Sequence, residues 1–400
     1  MRERTLRYLI VSALFISFLA FSACGGGGGG GASSGGGSGS IGSGGGSSGS
    51  GTGSTSPVVG YSYYVGIPGT RDVAALAIHA DGSGGTSTTL SDVTGLYPST
   101  PAMATTGGAS YLFVPSGTSD NLTIFQATGS SLVQVGGALS LSYTPQNQAI
   151  CVLSGPYLVL GDYQGNIHVY PVLAGGSLGT ETTYAALAST YGITGIAASP
   201  DNKYLLAEGK QNGYGNVGFS EFRIGAGGAL VMVGSTTLSS TYFNYSNLVA
   251  DPSTTNGHYF YSGGTNGFYL ISASASGPSV TVLFTPTDGG GEWDFVGWID
   301  PTGTWVYVNA WNSHTSTYTF DQFSIGTTGL TTYVGTEPNC NPANNAADFQ
   351  GTYNAAQGVV LFSAAGTTVC TYSSLGGVLT KPSSSAAPAP IGALGIMVAS

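Results

Sequence analysis

The stretch Gly195-Ile-Ala-Ala-Ser-Pro-Asp-Asn-Lys-Tyr204-Leu-Leu-Ala207 holds two apolar runs around a Pro-Asp turn, the second opening on an aromatic residue. Pro presets the backbone for a turn and Asp bonds amides just beyond it, so the stretch reads as a hairpin of strands A and B. Related stretches run from Leu248-Val-Ala-Asp-Pro to Tyr259-Phe-Tyr and over Trp298-Ile-Asp-Pro-Thr-Gly-Thr-Trp305-Val-Tyr-Val. Weaker copies run from Met103 to Val114 and from Ile150 to Leu160. The B strands open at Tyr63, Tyr111, Tyr157, Tyr204, Tyr259, Trp305 and Val359, at intervals of 48, 46, 47, 55, 46 and 54 residues. A fixed period of this size marks a repeat architecture with one supersecondary unit per repeat.

Each unit continues with an alternating third strand, as in Leu122-Thr-Ile-Phe125, Ile167-His-Val-Tyr170 and Tyr318-Thr-Phe-Asp-Gln-Phe323. A Gly-rich turn and a fourth strand follow, as in Gly227-Gly-Ala-Leu-Val-Met-Val233 and Gly376-Gly-Val-Leu379. Gly at these turns suits two-residue hairpins, which need positive φ. Four antiparallel strands per unit, repeated seven times over residues 57–400, predict an all-β fold, a seven-bladed β-propeller. The last segment, Ile391-Gly-Ala-Leu-Gly-Ile-Met-Val-Ala-Ser400, reads as an A strand without a B strand, and the first unit begins at its B strand, Tyr61 to Val65. Pairing the two completes one blade from both chain ends and removes open sheet edges.

Outside the repeats, Arg2, Arg4 and Arg7 precede the apolar stretch Tyr8 to Phe21 and the small residues Ser22 and Ala23. This is the pattern of an export signal over residues 1–23. Phe21-Ser22-Ala23-Cys24 resembles a bacterial lipobox, which implies lipid on Cys24 and a bacterial cell envelope address, with no Asp after Cys24 to hold the protein back from the outer membrane. Residues 24–56 combine that Cys with a Gly/Ser/Thr tract too poor in apolar surface to fold, a tether averaging roughly 30 Å. Without residues 1–23 the chain carries 5 basic and 17 acidic groups, a formal −12. That balance lacks the basic footprint of a nucleic-acid binder. The reading is a monomer that meets the membrane through its lipid.

The A-to-B motif, Asp300-Pro-Thr-Gly-Thr-Trp305 in its fullest form, and the Gly-Gly-x-Leu turn after strand C resemble the lactonase-like seven-bladed propellers, the phosphogluconolactonase and muconate-lactonizing types. The resemblance covers residues 57–400 through framework positions. It implies lactone chemistry by basic and acidic side chains at the mouth of a central channel, and no catalytic residue carries over by motif.

In such a fold the B–C loops and D–A connections share the face around that mouth. The spacing puts Arg71, Asp72, Asp120, Asp162, Glu208, Lys210 and His314 on B–C loops and Asp288, Glu292, Asp294, Glu337 and Asp348 on D–A connections. Arg71, Glu208, Lys210 and His314 are the provisional catalytic candidates. Trp293, Trp311 and Tyr214 would line a pocket for a small polar ligand or a protein. Asp201, Asp251 and Asp300 recur at A–B turns and read as turn-bonding residues. The tract Asp288-Gly-Gly-Gly-Glu292-Trp-Asp294 lacks the alternation of a calcium loop. Gly175-Gly-Ser177-Leu-Gly179 falls on a C–D hairpin, where a nucleophile elbow has no strand-to-helix turn. His79, His168, His258 and His314 show no metal-ligand spacing, so neither a metal nor another cofactor is expected. Export permits a disulfide between Cys340 and Cys370, and Cys151 reads as a buried thiol.

Three functions are compatible with these features. The favoured one is an envelope-tethered binding module; the alternatives are a lactone hydrolase at the channel mouth and a structural or adhesion protein.

Overall fold

The computed structural model describes residues 56–399 except 67–71, 80–83, 91–100, 117–118, 212–215, 239–246, 254–256, 265–266, 285–292, 313–316, 339–346, 352–358, 365 and 376–377. The described residues form β-strands joined by turns, two of them single 3₁₀ turns. Five separate antiparallel sheets follow one another: sheet I (residues 102–140), II (145–185), III (191–238), IV (247–284) and V (293–338). Sheets II to V have four strands each, and sheet I has a fifth short strand, Leu139–Ser140, beside its third. A seven-stranded terminal sheet joins the two ends of the chain. Its long strand Val378–Ala399 pairs through its first half with Gly366–Leu375 and through its second half with Val58–Gly66. Tyr61 thereby lies opposite Val398, and Tyr64 opposite Leu394. The last and first segments are neighbours as their sequences anticipate.

The first strands of successive sheets pack side by side. Ala102–Thr106 touches Pro145–Leu153, which touches Tyr191–Ala198, and the series continues through Asn247–Ala250, Trp293–Ile299 and Ala347–Gly351. The strand Val378–Ala399 touches both ends of this series.

The core lies between the sheets. Side chains alternate across a strand, and a sheet covered on both faces therefore reads as a continuous apolar run. In Tyr204–Gln211, Leu205 and Ala207 face Val159, Ile167 and Cys151 of sheet II. Leu206 between them faces Phe260 and Ile271 of sheet IV. Similar clusters fill the gaps between sheets I and II and between IV and V, and one joins sheet I to Tyr63, Val73 and Ala75 of the terminal sheet. Several exposed apolar side chains, among them Val133, Val231, Met232, Val282 and Tyr333, sit on fourth strands, the edges away from this packing.

The aromatic residues that mark the repeat have a specific task. The third and fourth strands of sheets II, III and V are joined by five-residue turns, not two-residue ones. Each is closed by the same bond: Leu173 N to Ser177 O, Gly225 N to Ala229 O, and Gly326 N to Leu330 O. The fourth residue is Gly176, Gly228 or Gly329, each with φ between +72° and +80°. A Cβ there would lie 2.3 Å from the ring of Tyr111, 2.6 Å from Tyr157 and 2.9 Å from Tyr259, respectively. Each B-strand tyrosine thus docks flat on a bare glycine of the following sheet. Sheet I uses a two-residue connection there, Gly129-Ser130, between Thr128 and Ser131. There Tyr63 donates its hydroxyl to Gly129 O at 2.6 Å.

The A–B turns correct one expectation. Asp201 is not the counterpart of Asp251 and Asp300; Ser199 is. Ser199 N bonds to Tyr204 O, Asp251 N to Tyr259 O and Asp300 N to Trp305 O, the same ladder-closing bond in sheets III, IV and V. Ser199 Oγ then accepts from Lys203 N and Tyr204 N, just as Asp300 Oδ1 accepts from Thr304 N and Trp305 N. Asp201, two residues further on, instead reaches across to sheet IV. There its carboxylate meets His258 Nε2 at 2.8 Å and also holds Lys203 Nζ at 2.9 Å.

Candidate functional site

At one end of the sheets the second strands finish and the third strands and each next first strand begin. Two groups of polar side chains collect there.

The first group is on the strand Tyr204–Gln211. Glu208 and Lys210 lie within it, not on the loop that follows, so alternation sends both to the same face as Leu206, toward sheet IV. Glu208 is fully buried, and Ser262 of sheet IV donates its hydroxyl to Oε2 at 2.8 Å. Gly195, opposite Glu208, keeps this seam tight, since a Cβ there would lie 2.9 Å from Leu248 Cβ. Lys210 is half-buried one step nearer the strand end, and burial lowers its ammonium below the ordinary lysine value. Glu208 and Ser262 are fully buried, so on this seam Lys210 is the group that can meet a polar ligand at the strand end, with the carboxylate set behind it.

The second group gathers in sheet II. Asp162 ends the second strand; its Oδ1 accepts from Gln164 N and Asn166 N, each at 2.8 Å. Its Oδ2 accepts from Asn166 Nδ2 at 2.9 Å and faces His168 Nε2 at 3.2 Å. The other ring nitrogen of His168 meets Glu181 Oε1 at 2.7 Å, and Tyr170 donates to Glu181 Oε2 at 2.8 Å. The Tyr143 hydroxyl lies 2.9 Å from that of Tyr170, and the Tyr143 ring stacks on His168 with centroids 3.4 Å apart. Each ring nitrogen of His168 thus faces a carboxylate oxygen. Burial pushes Asp162 up, but bonds from His168, Asn166 and Gln164 outweigh it and leave the carboxyl below its ordinary value. Glu181 is likewise lowered: burial is outweighed by bonds from Tyr170, His168 and Thr183. Burial and the contacts with Tyr170 drive the Tyr143 phenol up.

This network fixes the turn that presents Tyr163. Gly165 in the turn has φ +80° and no room for a side chain, with Leu187 O and Ala188 O both 2.8 Å from a Cβ position. Tyr163 projects partly exposed, and a Cβ on Gly192 of sheet III would fall 3.7 Å from its Cα and 2.8 Å from Gln146 Nε2. The Tyr163 backbone and the Gln146 amide therefore flank bare backbone at this end.

The sequence placed Asp162 and His168 apart, and the structure joins them. Asp162 is a buried turn cap, not a mouth-lining loop charge. The fold hides their proximity from a linear reading, because the register sets His168 opposite Leu160 and Thr183. The Asp162-x-x-x-Asn166 spacing was the available signal for the turn. Trp293 and Trp311 are opposite each other in the register of sheet V. Cys370 lies opposite Phe362 and Ser384, and Cys151 is buried on its first strand. Arg71, Tyr214, His314, Cys24 and Cys340, with residues 1–23, the tether and most of the tract from Asp288, lie outside the described residues. Ser177 sits on the exposed five-residue turn between third and fourth strands, away from any strand-to-helix junction. Among the described residues, no group of three or more His, Cys, Asp or Glu side chains could hold a metal.

No family model matches the chain, and no curated protein matches it. Solved structures do. A protein from Lactobacillus plantarum is similar over 84% of this chain and 99% of its own, at 12% identity and a TM-score of 0.62. A candidate 6-phosphogluconolactonase from Bacteroides uniformis is similar over 86% and 100%, at 14% identity and a TM-score of 0.62. Another from Bacteroides fragilis is similar over 86% and 99%, at 14% identity and a TM-score of 0.61. At such identities the likeness is one of fold, and fold alone does not carry function.

Proposed function

We propose that the chain is an envelope-anchored propeller of seven blades, closed by its terminal strands, that binds a small polar ligand where the second-to-third-strand turns converge. The series of touching first strands and the pairing of Tyr61 with Val398 support the closed ring. The lipobox-like Phe21 to Cys24 and the Gly/Ser tract support the anchor. One observation carries the binding reading: the Glu208 carboxylate is fully buried and already takes the Ser262 hydroxyl. A carboxylate so enclosed positions the strand end that carries Lys210 and does not act as a base, since a general base must reach the proton it removes.

Lactone hydrolysis is the second reading, favoured by the lowered Lys210 ammonium, since an amine with a reduced pKa is a better base near neutrality. One experiment separates them. The purified full chain is offered a panel of neutral and phosphorylated sugar lactones, with turnover followed by pH-stat and binding by calorimetry. The binding reading expects saturable heat with hydrolysis at the buffer rate, and Lys210→Ala should weaken binding at least several-fold. Turnover that saturates with substrate and disappears in Lys210→Ala would replace it with the hydrolase.

A further inference from the structure

We propose that Asp251 is a proton-binding site, which makes the seam between sheets IV and V tighter in mildly acidic surroundings than at neutral pH. Two turns share the same beginning. Asp300-Pro301 and Asp251-Pro252 each follow a first strand, and each Asp closes the same backbone bond to the aromatic that opens the second strand. That aromatic is five residues on for Asp300 and eight for Asp251. In the short turn the carboxylate takes Thr304 N at 2.8 Å, Trp305 N at 2.6 Å, Thr302 N at 3.2 Å and the Thr302 hydroxyl. In the long turn, among the described residues, one amide reaches it. Asp251 Oδ1 takes Ser253 N at 2.8 Å, and Oδ2 is buried with no hydrogen-bond partner.

Asp251 is 1% exposed. The turn of sheet V closes over it, with a Cβ on Gly303 set to fall 2.5 Å from Oδ1 and 2.7 Å from Ser253 Cβ. That contact leaves no space on this side for a hydrated cation. The titratable groups around it are Asp300 on the covering turn and Tyr261 on its own sheet, neither of which supplies positive charge. A buried carboxylate oxygen with no donor, beside a second carboxylate, favours the neutral acid. Consistently, burial, and after it Asp300, raises Asp251 to about 6 despite the Ser253 amide.

The folded state thus holds a proton that the unfolded chain releases near the ordinary 3.8. Its contribution is full below that value and is lost as pH rises through about 6. The test is urea unfolding of the full chain and of Asp251→Asn from pH 4 to 8. The unfolding constant of the parent should rise relative to that of Asp251→Asn by as much as roughly a hundredfold over this range, flattening above about pH 7. A second variant removes Thr254, Thr255 and Asn256, leaving Asp251-Pro-Ser-Gly-His-Tyr, the spacing of the Asp300 turn. With donors restored, its relative rise should vanish. A constant ratio between parent and Asp251→Asn at all pH values would overturn the proposal, as would a shortened turn that keeps the parent's slope.

Discussion

The turns at Asp251 and Asp300 begin with the same residue, the same following proline and the same backbone bond, yet one carboxylate is saturated and the other stranded. Asp300 collects four donors and stitches its own turn. Asp251 collects one and is sealed beneath its neighbour's turn. The cause is three extra residues, so the length of a connection, not the identity of the repeated residue, sets the electrostatics of each position. Sheet III makes the same point from the other side. Ser199 fills the Asp300 position with a neutral hydroxyl, and Asp201 is left free of that duty to bind His258 across the seam.

The comparison can be broken most forcefully at Asp300. Asp300→Ala strips the acceptor from three amides of a part-buried turn, and donors left unsatisfied cost about 1–3 kcal/mol each where water cannot reach them. Urea unfolding at pH 7.5 should show a loss of about 3 kcal/mol or more. Asp251→Ala at the same pH should change stability by less than about 1 kcal/mol, because it removes a poorly bonded buried charge. Equal losses would mean that the two turns do not differ as described. Next in size is Gly303→Ala, where the positive φ and the collision with Asp251 and Ser253 act together. The expected loss is about 2–3 kcal/mol, and it should shrink when Asp251→Ser is added.

A smaller effect is expected at the seam that owns a base. His258→Gln removes the partner of a partly exposed Asp201, so about 1 kcal/mol should be lost at pH 6. Acid titration then separates the regions by sign. Burial pushes Asp201 up, but bonds from His258, Lys203 and Ser199 outweigh it and hold it far below the ordinary aspartate value. Asp162 and Glu181 are lowered in the same way. These three contribute stability that is present above their unfolded values of 3.8 and 4.5 and lost as pH falls through their lower folded values. Asp251 runs the other way. Stability of the full chain followed by circular dichroism should therefore rise slightly from pH 7 to about pH 5 and fall steeply below pH 4. Asp251→Asn should lose only the first feature.

Much of the fold was legible because its framework is written in residues with one job. A tyrosine or tryptophan opens six of the seven second strands at a near-constant interval, and for Tyr111, Tyr157 and Tyr259 a glycine of the next sheet receives the ring. Both are visible as sequence periods. The turn geometry was less so: Gly227-Gly228 suggested a two-residue hairpin, whereas a five-residue turn closes on Gly225 and Ala229. The candidate site was legible only in part. Glu208 and Lys210 were identifiable as scarce charges, but their strand placement and burial arise from the register with Gly195 and Gly192. The chain Asp162–His168–Glu181–Tyr170–Tyr143 was missed. Its members meet across a hairpin and an inter-sheet connection, which linear spacing does not display. The stranding of Asp251 was present as eight residues against five, although its consequence depends on the turn that covers it.

Amide hydrogen exchange of residues 391–399 tests the ring most directly, since everything said of converging turns assumes that the chain's end is paired with its beginning. Exchange should be as slow there, and in Val58–Gly66, as in Tyr191–Ala198 of sheet III. Complete exchange of 391–399 within seconds, at the rate of an unstructured peptide, would contradict the account.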